Sequence, residues 1–171
     1  MIALVLLLAL PPVTVESQED GSAGSTHATA FAACEPARVW AVITDHRHFP
    51  QFVPHLKDLQ VLQVSPDFER ALQTVDAVVS TVRYALDYHF DRARWHIEYA
   101  LAKDLPHDIA SAHGAWQLAA AEGGTLIDYR TAVDVGKPVP GFIKRYLARN
   151  AATDLLEAVR LRACAPASPA H

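Results

Sequence analysis

The sequence predicts an α+β fold: a curved antiparallel sheet wrapped around a long C-terminal helix, with two short helices after the first strand. Two patterns carry this reading. Between Val82 and Val135, four consecutive segments alternate apolar and polar residues, each leaving one apolar face. Such segments form an antiparallel meander covered on one side. From Phe142 to about Arg162, Ile143, Leu147, Ala151, Leu155 and Val159 recur at four-residue steps, giving an amphipathic helix of roughly five turns. A helix of that length is the natural cover for the apolar side of the meander.

The remaining elements follow in chain order. Val13–Gln18 alternates as a strand, Glu19–Gly24 reads as a turn, and Thr26–Ala33 is a second strand. A helix opens at Pro36, where the missing N–H costs nothing, and places Val39, Trp40 and Ile43 on one face before stopping at Thr44-Asp45. A proline-punctuated segment follows, from Phe49-Pro50 to Val53-Pro54, and strands are expected near Leu59–Val64 and Ala71–Val75. In Val82–Phe90 the even positions are apolar or aromatic; after a short connection at Asp91-Arg92-Ala93 the parity flips, so Trp95, Ile97, Tyr99 and Leu101 share a face. Ala110, Ala112, Gly114, Trp116 and Leu118 line a third strand, and Ile127, Tyr129 and Val133 a fourth. Pro138 and Pro140 close the sheet, and residues 165–171 read as a disordered tail.

Composition limits the function classes. The 171 residues suit a single domain, placed at 12–164, able to bury about two thirds of its unfolded surface. With 51% hydrophobic and 20% charged residues the chain is not disordered. A net charge of −4 supplies no basic field for nucleic acid, so no nucleic-acid partner is expected. Cys34 and Cys164 are too few for a disulfide scaffold or a zinc cluster. They read as two independent thiols, with pairing in an oxidising compartment as the alternative. Residues 1–11 open with the apolar run Met1–Leu10, the length of a signal-peptide core and too short to span a bilayer. No Lys or Arg precedes that run and no A-x-A-like cleavage site follows it. Export to a periplasmic or secreted location and an uncleaved cytoplasmic chain both stay open.

Several residues in their order carry a family resemblance: Pro36, Val39-Trp40, Asp45, Pro50 and Pro54, then Gly114-Ala-Trp116, Gly124-Thr-Leu126 with Tyr129, and Val139-Pro140 before the last helix. Over roughly residues 13 to 163 the chain resembles the START-like (helix-grip) superfamily, in its coenzyme Q-binding and polyketide cyclase/dehydratase branch. That resemblance implies a helix-grip fold and a cavity for a hydrophobic molecule. It does not imply one reaction, because carriers, cyclases and regulatory proteins share the scaffold.

The apolar faces mix large rings with small residues such as Ala110, Ala112 and Gly114, a combination that leaves unfilled space. Tyr84, Tyr88, Trp95, Tyr99, Trp116 and Tyr129 are the candidate ligand contacts on the sheet, with Phe142, Ile143 and Tyr146 at the mouth. Buried tyrosine hydroxyls would orient a quinone or keto oxygen. His46, His48 and His55 lie in the proline-rich connection without Cys or carboxylate to complete a metal set, so they read as solvent-exposed loop histidines. Asp45 is expected to bond backbone N–H groups in its turn. Asp87, Glu98, Asp128 and Asp134 fall on the outward parity with Arg83, Arg94 and Arg130, as cross-strand ion pairs. No nucleophile elbow or phosphate loop is present, no metal or cofactor is called for, and almost no titratable side chain is expected to face the cavity. The favoured function is therefore a non-catalytic carrier of a hydrophobic small molecule (a lipid, a polyprenyl quinone or a polycyclic compound), with transient membrane contact and no assigned oligomeric state. A polyketide cyclase/dehydratase-type enzyme and a protein-interaction module like the superfamily's ribosome-associating members are the alternatives.

Overall fold

The computed structural model describes residues 10–20, 22–77, 80–138 and 140–166, and for 141–148 the backbone alone. The order is β1 (Thr14–Asp20), β2 (Ala23–Ala32), α1 (Pro36–Ile43), a 3₁₀ helix (His46–Gln51), β3 (Leu56–Ser65), β4 (Phe68–Asp76), β5 (Thr81–Asp91), β6 (His96–Leu101), β7 (Ser111–Ala121), β8 (Gly124–Asp134) and α2 (Gly141–Cys164). The strands form one antiparallel sheet of eight in the order β1-β2-β8-β7-β6-β5-β4-β3. This is the α+β, helix-grip architecture read from the sequence, except that both short helices follow the second strand. Residues 1–9, which make up nearly all of the N-terminal apolar run, and residues 167–171 lie outside the described residues.

Side-chain size on the sheet decides where α2 rests. β2 presents Ala28, Ala30 and Ala32, at most 5% exposed, toward the core. This alanine column lets the helix approach closely, and α2 packs on β2, β1 and α1. The helix answers with Ala152, Leu156, Val159 and Ala163, all buried. The predicted stripe of strict four-residue steps is corrected here, since Ala151 is exposed. Four residues advance a helix about 40° past a full turn, so such a stripe drifts off the contact face, whereas the observed 4-3-4 spacing stays on it.

Further corrections concern connections. The β5–β6 turn is Arg92–Trp95, longer than predicted, and Trp95 adopts a positive φ of 53° there. Register shifts interrupt the β3–β4 ladder between Leu56 and Asp58 and between Val61 and Gln63. Leu62 within the second shift and Val64 beyond it are exposed on an edge strand. Cys34 and Cys164 form a disulfide with Cα atoms 5.3 Å apart, not two independent thiols. Their sequence separation of 130 conceals the pairing; the fold creates it by laying the last turn of α2 beside the start of α1.

Candidate ligand cavity

Away from the alanine column, the sheet and α2 do not close on each other. A cavity of about 370 Å³ remains, bounded by β4–β8, the 3₁₀ segment and the Ala151–Leu155 stretch of α2. Its size falls near the lower end of the roughly 300–1,000 Å³ typical of small-molecule sites. Phe49, Val53 and Pro54 of the proline-rich connection contribute to its wall. No Lys or Arg lines it among the described residues. The opposite face of the sheet carries a broader, solvent-open trough of about 800 Å³, lined by polar side chains including His27, Glu98 and Arg130.

Tyr84, Tyr88, Tyr99, Trp116 and Tyr129 are all lining residues. Alternation on β5 to β8 brings them together, since register pairs Tyr88 with Tyr99 and Trp116 with Tyr129. The Tyr99 and Tyr129 hydroxyls meet at 3.0 Å, and the Thr131 hydroxyl serves both. Tyr84 bonds Gln73, its register partner on β4. Burial pushes the Tyr84 phenol up to about 12, with the neighbouring Tyr129 adding to the shift. The phenols of Tyr88, Tyr99 and Tyr129 are also raised, first by burial. These hydroxyls therefore stay protonated at neutral pH and act as fixed donors and acceptors, not as proton carriers.

Trp95 does not line the cavity. From its tight turn it packs edge-on against Trp40, with ring centroids 5.5 Å apart and planes at 71°. The side chains of Phe142, Ile143 and Tyr146 lie outside the described residues.

The main residue the sequence reading missed is His46. It is 1% exposed, not a solvated loop histidine, and it belongs to the cavity wall. Its ring lies against Tyr88 at 4.0 Å and meets the edge of Phe49 at 4.8 Å. Behind it Glu69, 7% exposed, engages Nδ1 at 2.6 Å. Almost no titratable side chain is expected from the sequence to face the cavity, and His46 backed by Glu69 is one that does. The Glu69 signal was available: Glu69, Ala71, Gln73 and Val75 share one parity on β4, so an acidic residue falls at an inward position. His48 and His55 part from His46. His48 pairs with Asp45 at 2.6 Å, so that carboxylate bonds a side chain instead of the expected backbone N–H groups, while His55 reaches the cavity rim with a positive φ of 66°. On the outer face Arg70 forks onto its cross-strand partner Asp87 at 2.6 and 2.8 Å. Arg94 and Arg130 pair locally with Asp91 and Asp128 instead of across strands.

With this geometry in place, the comparisons with known proteins bear on it. The family model described as "Polyketide cyclase / dehydrase and lipid transport" matches residues 23–167. No curated protein matches the chain. Among solved structures, a STAR-related lipid transfer protein from Xanthomonas axonopodis superposes with a TM-score of 0.77 at 16% identity, covering 88% of this chain and 93% of that one. The Zhui aromatase/cyclase from Streptomyces sp. R1128 gives 0.68 at 17% identity, again over 88% and 93%. A START superfamily protein from Mycobacterium smegmatis gives 0.67 at 18%, over 87% and 96%. At such identities these likenesses establish the fold, and the START-like relationship read from the sequence stands.

Proposed function

We propose that this chain, which belongs to the polyketide cyclase/dehydrase and lipid transport family, is a non-catalytic carrier of one compact hydrophobic molecule. The observation that carries this reading is the cavity, walled by aromatic and aliphatic side chains, furnished with neutral tyrosine hydroxyls and lined by no Lys or Arg among the described residues. Among the described lining residues a phosphate head group would meet no Lys or Arg countercharge. The volume of about 370 Å³ suits a polycyclic compound or the ring of a polyprenyl quinone, whose tail would leave through the mouth beside Ala151. The Cys34–Cys164 disulfide supports an oxidising location for this carrier, in keeping with export.

The test is native mass spectrometry of protein purified gently from its natural host, followed by solvent extraction of whatever accompanies it. A near-stoichiometric neutral hydrophobic molecule is expected, and filling the mouth with Ala151→Trp should remove it. Protein that arrives empty, and stays empty when offered the host's extracted lipids, would overturn the carrier reading. His46 backed by Glu69 favours a second reading, a cyclase or dehydratase, because such chemistry needs a positioned proton carrier at the cavity wall. A bound compound that emerges chemically altered would decide for it.

A further inference from the structure

We propose that His46, held by Glu69, is the polar anchor of the cavity, and that its ligand is an uncharged hydroxyl compound on an apolar body, a phenol or an alcohol. The proposal rests on the cavity being the binding site and names the chemistry that site selects. Three features lead to it. First, the pair is built into the core: His46 is 1% and Glu69 7% exposed, joined at 2.6 Å. Burying a carboxylate and an imidazole costs stability unless each satisfies the other. Second, the ring cannot swing, because Tyr88 covers it at 4.0 Å and Phe49 abuts it at 4.8 Å. Third, His46 lines the cavity while Glu69 stands behind it.

The contact suggests the hydrogen-bond polarity. With Nδ1–H donating to the Glu69 carboxylate, Nε2 is the ring's other polar atom, and in the proposed complex it accepts a ligand O–H. The oxygen of that hydroxyl can in turn accept from a protonated tyrosine phenol on the same wall. Charge narrows the class further. The Glu69 carboxylate already neutralises any positive charge His46 could gain, and the cavity lining contains neither Lys nor Arg among the described residues. A carboxylate or phosphate ligand would therefore be buried without compensation. A pure hydrocarbon would leave Nε2 facing an apolar surface. A neutral hydroxyl meets both conditions.

The experiment compares three probes of one shape, naphthalene, 1-naphthol and 1-naphthoate, by fluorescence or calorimetric titration of the full chain at neutral pH. Wild type is expected to favour 1-naphthol over naphthalene by roughly two- to twelvefold, the range one net hydrogen bond gives, and to take 1-naphthoate least. In His46→Phe the naphthol-to-naphthalene ratio should fall to about one. In Glu69→Gln, whose amide can no longer compel the Nδ1–H tautomer, it should fall partway. Circular dichroism melts confirm that each variant is folded, and the Nε2 resonance of ¹⁵N-histidine-labelled wild type should move with naphthol and not with naphthalene. A ratio that survives in folded His46→Phe, an unmoved Nε2 resonance, or a preference for naphthoate would overturn the anchor while leaving the carrier reading in place. Failure of all three probes to bind wild type would instead strike the carrier reading, and the anchor with it.

Discussion

The phenol of Tyr99 lies directly over Gly114, its register partner on β7: a Cβ at residue 114 would sit 2.3 Å from the Tyr99 oxygen. The absent side chain is what lets the ring cross β7 and reach Tyr129 on β8. The same Cβ would fall 2.3 Å from the Arg130 carbonyl oxygen, so backbone as well as side chain would have to yield. Gly114→Ala should therefore destabilise by roughly 1–3 kcal/mol or more, lowering Tm by about 3–10 °C for a chain of this size. Gly24→Ala, whose new Cβ meets nothing nearer than 3.8 Å, is the control and should melt close to wild type. Equal melting of the two variants would show that Tyr99 does not occupy this position.

The raised phenols give a pH signature. Burial holds Tyr84 up to about 12 and raises Tyr88, Tyr99 and Tyr129 in the folded protein, while unfolded tyrosines ionise near their ordinary value of about 10. The sign follows: stability is full below pH ~10 and is lost as pH climbs toward ~12, because the unfolded chain releases its phenolic protons first. In a spectrophotometric titration at 295 nm, at most two of the five tyrosines should ionise by pH 11 in the folded state, because Tyr84, Tyr88 and Tyr99 are held protonated. All should do so in guanidinium. Early ionisation of three or more would mean that the cavity wall is wet.

How much of this was legible depends on the range of each signal. Alternation and helical spacing are local, so β5 to β8, and the placement of Val39, Trp40 and Ile43 in the core, could be read directly from the chain. The inward parity of Tyr84, Tyr88, Tyr99, Trp116 and Tyr129 came with them. His46 could not be read that way. It sits in a proline-rich connection with no periodicity, and its partner lies 23 residues away on another element. Trp95 shows the opposite failure: parity extended into a turn, where a positive φ redirects the side chain. The disulfide is the longest-range case, created only when the two ends of the domain meet.

Reduction of that disulfide should loosen the grip. It closes 130 residues of separation and ties the last turn of α2 to the chain just before α1. Removing a native bridge costs about 2–5 kcal/mol, so Cys34→Ser or phosphine reduction should lower Tm by roughly 5–20 °C. Thiol titration of the denatured, unreduced protein should find no free thiol. Two titratable thiols would show that the bridge does not form in solution.

The buried His46–Glu69 pair predicts non-additive mutations. Removing only the acid leaves the imidazole Nδ1–H buried and unmatched, which costs about 1–3 kcal/mol beyond the lost packing. Removing only the histidine leaves a carboxylate in the core, a comparable or larger penalty. Replacing both by apolar groups of similar shape removes the two unmatched groups together. Glu69→Leu and His46→Phe should each destabilise, and the double variant should be more stable than the sum of the singles by roughly 1–3 kcal/mol. Chemical denaturation of the four proteins measures this coupling directly. Strict additivity would mean that the 2.6 Å contact does not hold the histidine in place, and that its orientation comes from Tyr88 and Phe49 alone.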